Sequence, residues 1–181
     1  MLQITVPGVE MWDERNEVFI CSEDAVLDLE HSLVSISKWE AKWQKPFLSK
    51  DPMTNDETID YVRCMSLSDD VDMDILRRIT RENIRQVIEY IDNPMTATTI
   101  HEPKTSRSKS NELVTSELIY YWMVALNIPF ECQYWHLNRL LTLVRVCNIK
   151  NQDPKKMSKR DIYSSNAALN AARRKQMHTK G

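Results

Sequence analysis

Polar and apolar residues alternate along the first twenty positions of the chain. Leu2, Ile4 and Val6 share one face, the Pro7-Gly8 turn follows, and Val9-Glu10-Met11-Trp12 and Glu17-Val18-Phe19-Ile20 flank a second turn at Asp13-Glu14-Arg15-Asn16. A period of two interrupted by turn residues predicts two or three short strands, arranged as a hairpin or meander. The period then lengthens. Val26, Leu29, Leu33, Ile36 and Trp43 recur at spacings of three, four and seven, which predicts a helix of about twenty residues. Ser22 is its expected cap, Glu23 and Asp24 lie in its first turn, and Pro46 ends it. Thr54 and Glu57 have capping-box spacing ahead of a helix that turns Ile59, Val62 and Met65 inward. A short helix near Asp72–Ile79 follows, then one capped by Thr80 with Ile84, Val87, Ile88 and Ile91 inward.

From Asp92 to Ser110 the pattern lapses into a loop with two prolines and several serines and threonines; loops of this length inside compact domains are often functional or disordered. Leu113, Leu118, Tyr121, Trp122 and Ala125 then mark the most apolar helix, closed by Asn127 and Pro129. A following helix from about Glu131, carrying Tyr134, Leu137, Leu141 and Val144, is expected to pack against it as an antiparallel pair. Ser158 and Asp161 introduce a last, alanine-rich helix ending in Arg173-Arg174-Lys175. The chain is therefore predicted to be mainly α-helical. A bundle-like body covers 22–151 with a long loop near 92–110, an N-terminal β-hairpin or meander covers 1–21 and packs on the body, and a basic C-terminal helical arm covers 152–181.

Charge separates the arm from the body. Residues 1–149 hold fifteen Lys and Arg against twenty-four Asp and Glu, a net −9, whereas residues 150–181 hold nine against two, a net +7. An acidic body argues against a broad nucleic-acid surface, which needs a concentrated basic face. The arm carries few large apolar side chains, so it is expected to become ordered on an acidic partner or a neighbouring subunit. No apolar run approaches the length of a membrane span, and the N-terminus lacks the basic-then-apolar pattern of a signal peptide, so a cytoplasmic protein is expected.

Only two glycines, Gly8 and Gly181, occur in 181 residues. Phosphate-cradling loops, dinucleotide turns and nucleophile elbows need glycine for positive φ or close backbone approach, so none of them is expected here. The four cysteines, at 21, 64, 132 and 147, lack zinc or dithiol spacing and read as reduced thiols. Cys132 and His136, four apart on a predicted helix, are half of a metal site without a second pair to complete it. The carboxylate pairs Asp69-Asp70, Asp72-Asp74 and Glu57-Asp60 read as solvated helix starts, and Ser32, Ser35 and Ser37 share a helix with His31 without an oxyanion turn. No catalytic, cofactor or metal residues are assigned. More pointed is the cluster Trp39, Trp43, Phe47 and Leu48 with Lys38, Lys42 and Lys45 interleaved. It suits closure of the core, an apolar anchor for a partner, or stacking on single-stranded nucleic acid.

Several strings carry a resemblance: Leu29-Glu30-His31-Ser32-Leu33-Val34-Ser35-Ile36-Ser37-Lys38-Trp39-Glu40 continuing to Lys45-Pro46-Phe47-Leu48, Glu57-Thr58-Ile59-Asp60-Tyr61, Pro94-Met95-Thr96-Ala97-Thr98-Thr99, Trp135 to Leu141, and Met157-Ser158 through Arg173-Arg174-Lys175. Together the chain resembles the tail assembly chaperones encoded in the tail modules of long-tailed bacteriophages. The resemblance implies a non-enzymatic helper in the cytoplasm of the infected bacterial host; the chain is expected to be monomeric or weakly self-associating and to lack a cofactor. Such a helper keeps the apolar helices of the tape-measure protein soluble and brings tail-tube subunits to it. Trp39, Trp43, Phe47 and Leu48, together with Arg173, Arg174 and Lys175, are then the expected partner-binding residues. The alternative is a structural tail or baseplate protein retained in the virion, with the ribbon and arm locking adjacent subunits; a small nucleic-acid-binding protein using the basic tail is a third reading.

Overall fold

Strands β1 (Leu2–Val6) and β4 (Ala25–Leu29) pair antiparallel with Leu2 opposite Leu29, while β2 (Glu10–Asp13) and β3 (Val18–Cys21) pair with Glu10 opposite Cys21. The structure, a computed structural model, describes residues 1–13, 17–49, 51–68, 70–100, 113–151 and 159–177, without the side chains of 11, 13, 18, 20, 159–162, 165, 172 and 175. The predicted turn at 14–16, most of the predicted loop from 101 onward and the Ser158 cap lie outside the described residues. Partners have the same register offset in both ladders, and between them Ser22 N donates to the Val9 carbonyl at 3.0 Å. The four strands are thus the inner and outer halves of one long hairpin, interrupted near Gly8 and Ser22.

Close backbone approach causes the interruption. A Cβ on Gly8 would lie 2.0 Å from the Ser22 carbonyl oxygen, so this glycine is required by contact. Gly8 N donates to Asp24 Oδ1 at 2.7 Å, and Arg78 reaches in to donate to both the Pro7 carbonyl and Ser22 Oγ at 2.9 Å. The inner half buries Ile4, Val6, Leu27 and Leu29, whereas the outer half exposes Trp12 and Phe19, whose rings sit 4.8 Å apart across the ladder.

Strand β4 corrects the reading that placed a helix start at Ser22. Ser22 belongs to the ribbon, and the helix begins eleven residues later at Leu33. Ala25, Leu27 and Leu29 also alternate, and the pairing of Leu27 with Ile4 decides between the two periods. Helix α1 (Leu33–Trp43) is capped by Ser32, whose hydroxyl accepts from Ser35 N while Ser35 Oγ accepts from Ser32 N. It ends with Gln44 in the left-handed region (φ 53°), two residues before Pro46.

Four helices follow in chain order. Helices α2 (Asn55–Met65) and α4 (Arg81–Asp92) start on complete capping boxes, Thr54 with Glu57 and Thr80 with Asn83, and α3 (Met73–Arg77) starts on Asp72. Helix α5 (Ser116–Ala125) is capped by Thr115. A 3-10 turn (Phe130–Tyr134) and α6 (Leu137–Asn151) complete the body. The expected helix from Glu131 is therefore split, because Trp135 adopts an extended conformation and His136 forms a β-bridge with Ser32. Helix α5 packs mainly on α1, in place of the expected pairing with α6. Its inward residues are Ile119 and Met123, while Tyr121 and Ala125 face outward.

The fold is mainly helical with an N-terminal antiparallel hairpin, as the hydrophobic pattern predicts. Its core draws Ile4 and Leu29 from the ribbon, Leu33, Ile36 and Trp39 from α1, Tyr61 and Met65 from α2, Val87 from α4, Met123 from α5 and Leu140 from α6. Residues Met1–Cys147 form one compact unit and Asn148–Gly181 a second, which contains α7 (Lys159–Met177). No described helix is long and apolar enough to cross a membrane.

Gly8→Ala is expected to destabilise the protein by at least about 2 kcal/mol in urea unfolding, because backbone must move to admit the methyl group. A loss below about 0.5 kcal/mol, the level of an ordinary surface change, would mean that the two strands do not pass so closely.

Candidate interaction surface

Helix α1 aims its aromatic residues at α2. Trp39 is 2% exposed and its Nε1 donates to the Glu57 carbonyl at 3.0 Å; its ring meets Phe47 edge-on at 5.4 Å, and Phe47 in turn packs on Tyr61 at 4.2 Å. Trp43, one turn on and half-buried, donates from Nε1 to Asp60 Oδ2 at 2.8 Å. A buried indole N–H needs an acceptor, and α2 supplies one to each tryptophan. Trp39 therefore closes the core, with little of its own surface in water. Trp43 and Phe47 keep part of their surface in water, and Leu48 is exposed.

The interleaved lysines are also drawn onto α2. Lys42 donates to Asp60 Oδ1 at 2.7 Å, Arg63 Nε to the same oxygen at 2.9 Å, and Lys45 to Glu57. Burial pushes the Asp60 carboxyl up, but hydrogen bonds from Lys42, Trp43 and Arg63 outweigh it and hold the group below its usual range. Glu57 is held low chiefly by the Lys45 ammonium, with the Thr54 N–H adding to it. Two of the three lysines that would have tracked a phosphate backbone are thus neutralised. A recess of 270 Å³ with Trp39, Phe47 and Met53 in its wall opens on this side, with the Lys45–Glu57 pair beside it. A second, of 570 Å³, is polar and lined by Lys38, Lys42, Asp60, Arg63, Ser66 and Ser68.

Beneath these lies a buried polar cluster that the sequence did not reveal. His31 Nδ1 is hydrogen-bonded to Tyr61 Oη at 2.5 Å, and its ring meets that of His136 edge-on at 5.1 Å. His136 donates from Nε2 to the Tyr90 carbonyl and accepts at Nδ1 from Asn138 N, which assigns it the neutral Nε2–H tautomer. Tyr90 Oη donates to Glu30, which also pairs with the terminal amino group. His136 and Cys132 are committed elsewhere than to a shared metal: Cys132 sits in the 3-10 turn, off the helix that follows, and both ring nitrogens of His136 are hydrogen-bonded. Ser32 and Ser35 are taken up by the cap of α1, Asp72 by the cap of α3 and Asp74 by Arg77, while Asp69 lies outside the described residues. Among the described residues no three His, Cys, Asp or Glu side chains converge as a metal ion would require.

Apolar ground is exposed elsewhere as well. Helix α5 is apolar on every side: Ile119 and Met123 enter the core, while Tyr121 (65% exposed) and Val124 (59%) stand in water. Phe130 and Tyr134 of the following 3-10 turn, and Leu113 ahead of the helix, are exposed as well. Tyr120 Oη donates to Gln133 Oε1 at 3.0 Å and ties the turn back to α5. A helix packed on one side buries three or four positions in two turns, so the run Leu118-Ile119-Tyr120-Tyr121-Trp122-Met123-Val124 holds more large apolar residues than one face can hide. That excess was the available signal. In the C-terminal unit, Arg173 and Arg174 are exposed on α7, which also carries Lys175. Comparison with known protein families, with curated proteins and with solved structures finds no match to this chain.

The histidine pair makes stability fall in acid. Burial, reinforced by His136, pushes His31 down to about 3, and burial also lowers His136 against the opposing pull of the Tyr90 carbonyl and Glu30. A histidine with a depressed folded pKa takes up its proton first in the unfolded chain, so stability is full above about 6.5 and declines as the pH falls towards about 3. Urea midpoints measured from pH 7.5 to 4 are expected to drop steeply below 6.5, by up to about 1.4 kcal/mol per pH unit for each histidine. His31→Gln should flatten that slope; an unchanged slope would show that other groups cause it.

Proposed function

We propose that this chain is a non-enzymatic protein of bacteriophage tail morphogenesis, a tail assembly chaperone acting without a cofactor in the cytoplasm of the infected host. It binds apolar helical segments of the tape-measure protein and brings tail-tube subunits to them. The observation that supports this reading is the exposed apolar surface of α5 and the 3-10 turn, with Tyr121, Val124, Phe130 and Tyr134 in water. Contiguous exposed apolar ground marks interaction sites, and an amphipathic helix laid on such a face buries its own stripe. The choice of the tape-measure protein as partner rests on the resemblance of the strings from Leu29 to Leu48 and from Trp135 to Leu141 to the chaperone family.

Co-expression with tape-measure fragments is expected to yield a soluble complex. The double substitution Tyr121→Lys/Val124→Lys should weaken that complex by at least about tenfold, with the thermal midpoint nearly unchanged because both side chains are already exposed. Retained binding would remove α5 from the reading. Quantitative mass spectrometry of purified virions separates helper from building block: a helper is absent from finished particles, and many copies at a ratio set by the particle's symmetry would support the structural alternative instead.

A further inference from the structure

The two ends of the chain carry equal and opposite charge. Residues 1–30 hold eight acidic residues and one arginine, a net −7, against the +7 of residues 150–181; the 119 residues between them hold sixteen acidic and fourteen basic residues, nearly neutral. The acidity of the body is therefore concentrated in the ribbon. Its outer half has two features of an unfinished contact. Among the described residues, strands β2 and β3 form a two-stranded ladder that packs mainly on itself, with neither outer edge paired to a further strand, and such a ladder is marginal alone. Val9, Trp12 and Phe19 are 44%, 47% and 66% exposed beside the exposed Glu10 and Glu17. Helix α7 has the complementary character. Tyr163, Leu169 and Met177 are 74%, 53% and 74% exposed on a helix that also carries Lys159, Arg160, Arg173, Arg174 and Lys175.

We infer that the outer half of the ribbon is a docking surface for the basic helical arm of a second copy of this chain. Trp12 and Phe19 receive apolar side chains of α7, and the acidic residues around them meet its lysines and arginines. Because ribbon and arm are different surfaces, the contact is heterologous, and each copy that gives its arm still offers its ribbon to the next. Association then proceeds head to tail, towards a ring or a short filament. Salt must weaken it, since the screening length falls from about 10 Å at 0.1 M to about 3 Å at 1 M.

Sedimentation velocity of the full-length protein alone, over a range of concentrations, tests this without reference to any tail protein, so its outcome is separable from that of the chaperone reading. Oligomers that grow with concentration at 50 mM salt and dissociate at 1 M are expected. Reversing the ribbon (Glu10→Lys/Glu17→Lys) and, separately, the arm (Arg173→Glu/Arg174→Glu/Lys175→Glu) should each weaken association at least about tenfold through like-charge contact. Mixing the two variants should restore it, because each then offers a surface of the sign that the other lacks. Far-ultraviolet circular dichroism should remain close to that of the parent in both variants, and Trp12→Ala should weaken association with no change of charge. A chain that stays monomeric at low salt, association indifferent to the ribbon reversal, or folded variants that fail to complement on mixing would each overturn the proposal.

Discussion

The ribbon and helices α1, α2, α4 and α6 meet at four residues, Leu29 to Ser32. Leu29 closes the ladder opposite Leu2 and bridges to Ser66; Glu30 N donates to the Met65 carbonyl; the His31 carbonyl accepts from Leu137 N at 2.7 Å; Ser32 bridges to His136 and caps α1. In so short a segment the backbone groups are shared among the ribbon, the end of α2, the start of α6 and the first turn of α1. The side chains extend the same junction, with His31 bonded to Tyr61 of α2 and Glu30 to Tyr90 of α4. Buried backbone donors and acceptors must find partners, and here those partners come from four separate parts of the chain. A helix through these residues would have satisfied them internally and left the other elements unconnected.

Polar contacts hold the helices around that junction. Glu40, 7% exposed, accepts from Phe47 N through one oxygen and from Ser116 N through the other, both at 2.7 Å, so one carboxylate ties the exit of α1 to the first turn of α5. Negative charge suits a helix N-terminus, and two N–H donors replace the water that the carboxylate loses. Asp60 does the equivalent between α1 and α2, collecting donors from Lys42 and Trp43 of one and Arg63 of the other, while Glu57 takes Lys45, just past the end of α1, and the Thr54 N–H at the cap of its own helix. The seam carrying Trp39, Trp43 and Phe47 is therefore a structural joint with ionic edges. Its lysines pair with carboxylates, so a segment that looks in the sequence like a basic and aromatic interaction motif offers less uncompensated charge than its spacing suggests.

Exposed large apolar side chains recur in three places that matter here: the outer ribbon, the face of α5 with its 3-10 turn, and α7. Each is a secondary element whose apolar residues outnumber the positions its own packing can cover. A folded chain tolerates such surface when another molecule covers it, and the dispersal suits a protein that contacts more than one partner surface. The charge pattern adds selectivity, since an acidic ribbon and a basic arm disfavour like pairing with themselves while leaving apolar contact with a neutral helix open.

Local signals were legible because their physics is local. The capping boxes Thr54–Glu57 and Thr80–Asn83, the Asp72 cap and the stop of α1 before Pro46 involve residues within a few positions, so the sequence by itself determined where those helices begin or end. The helical class and the N-terminal hairpin followed from the change of hydrophobic period. Residues 25–29 were different, because Val26, Leu29 and Leu33 fit a helix while Ala25, Leu27 and Leu29 fit a strand. Only the pairing of Leu27 with Ile4, twenty-three positions away, resolves that ambiguity. The burial of Trp39, the loss of Lys42 and Lys45 to carboxylates of α2, and the outward turn of Tyr121 were likewise decided by tertiary structure. A side chain's partner across the core is set by how elements pack, and spacing along one element records only which residues share its face.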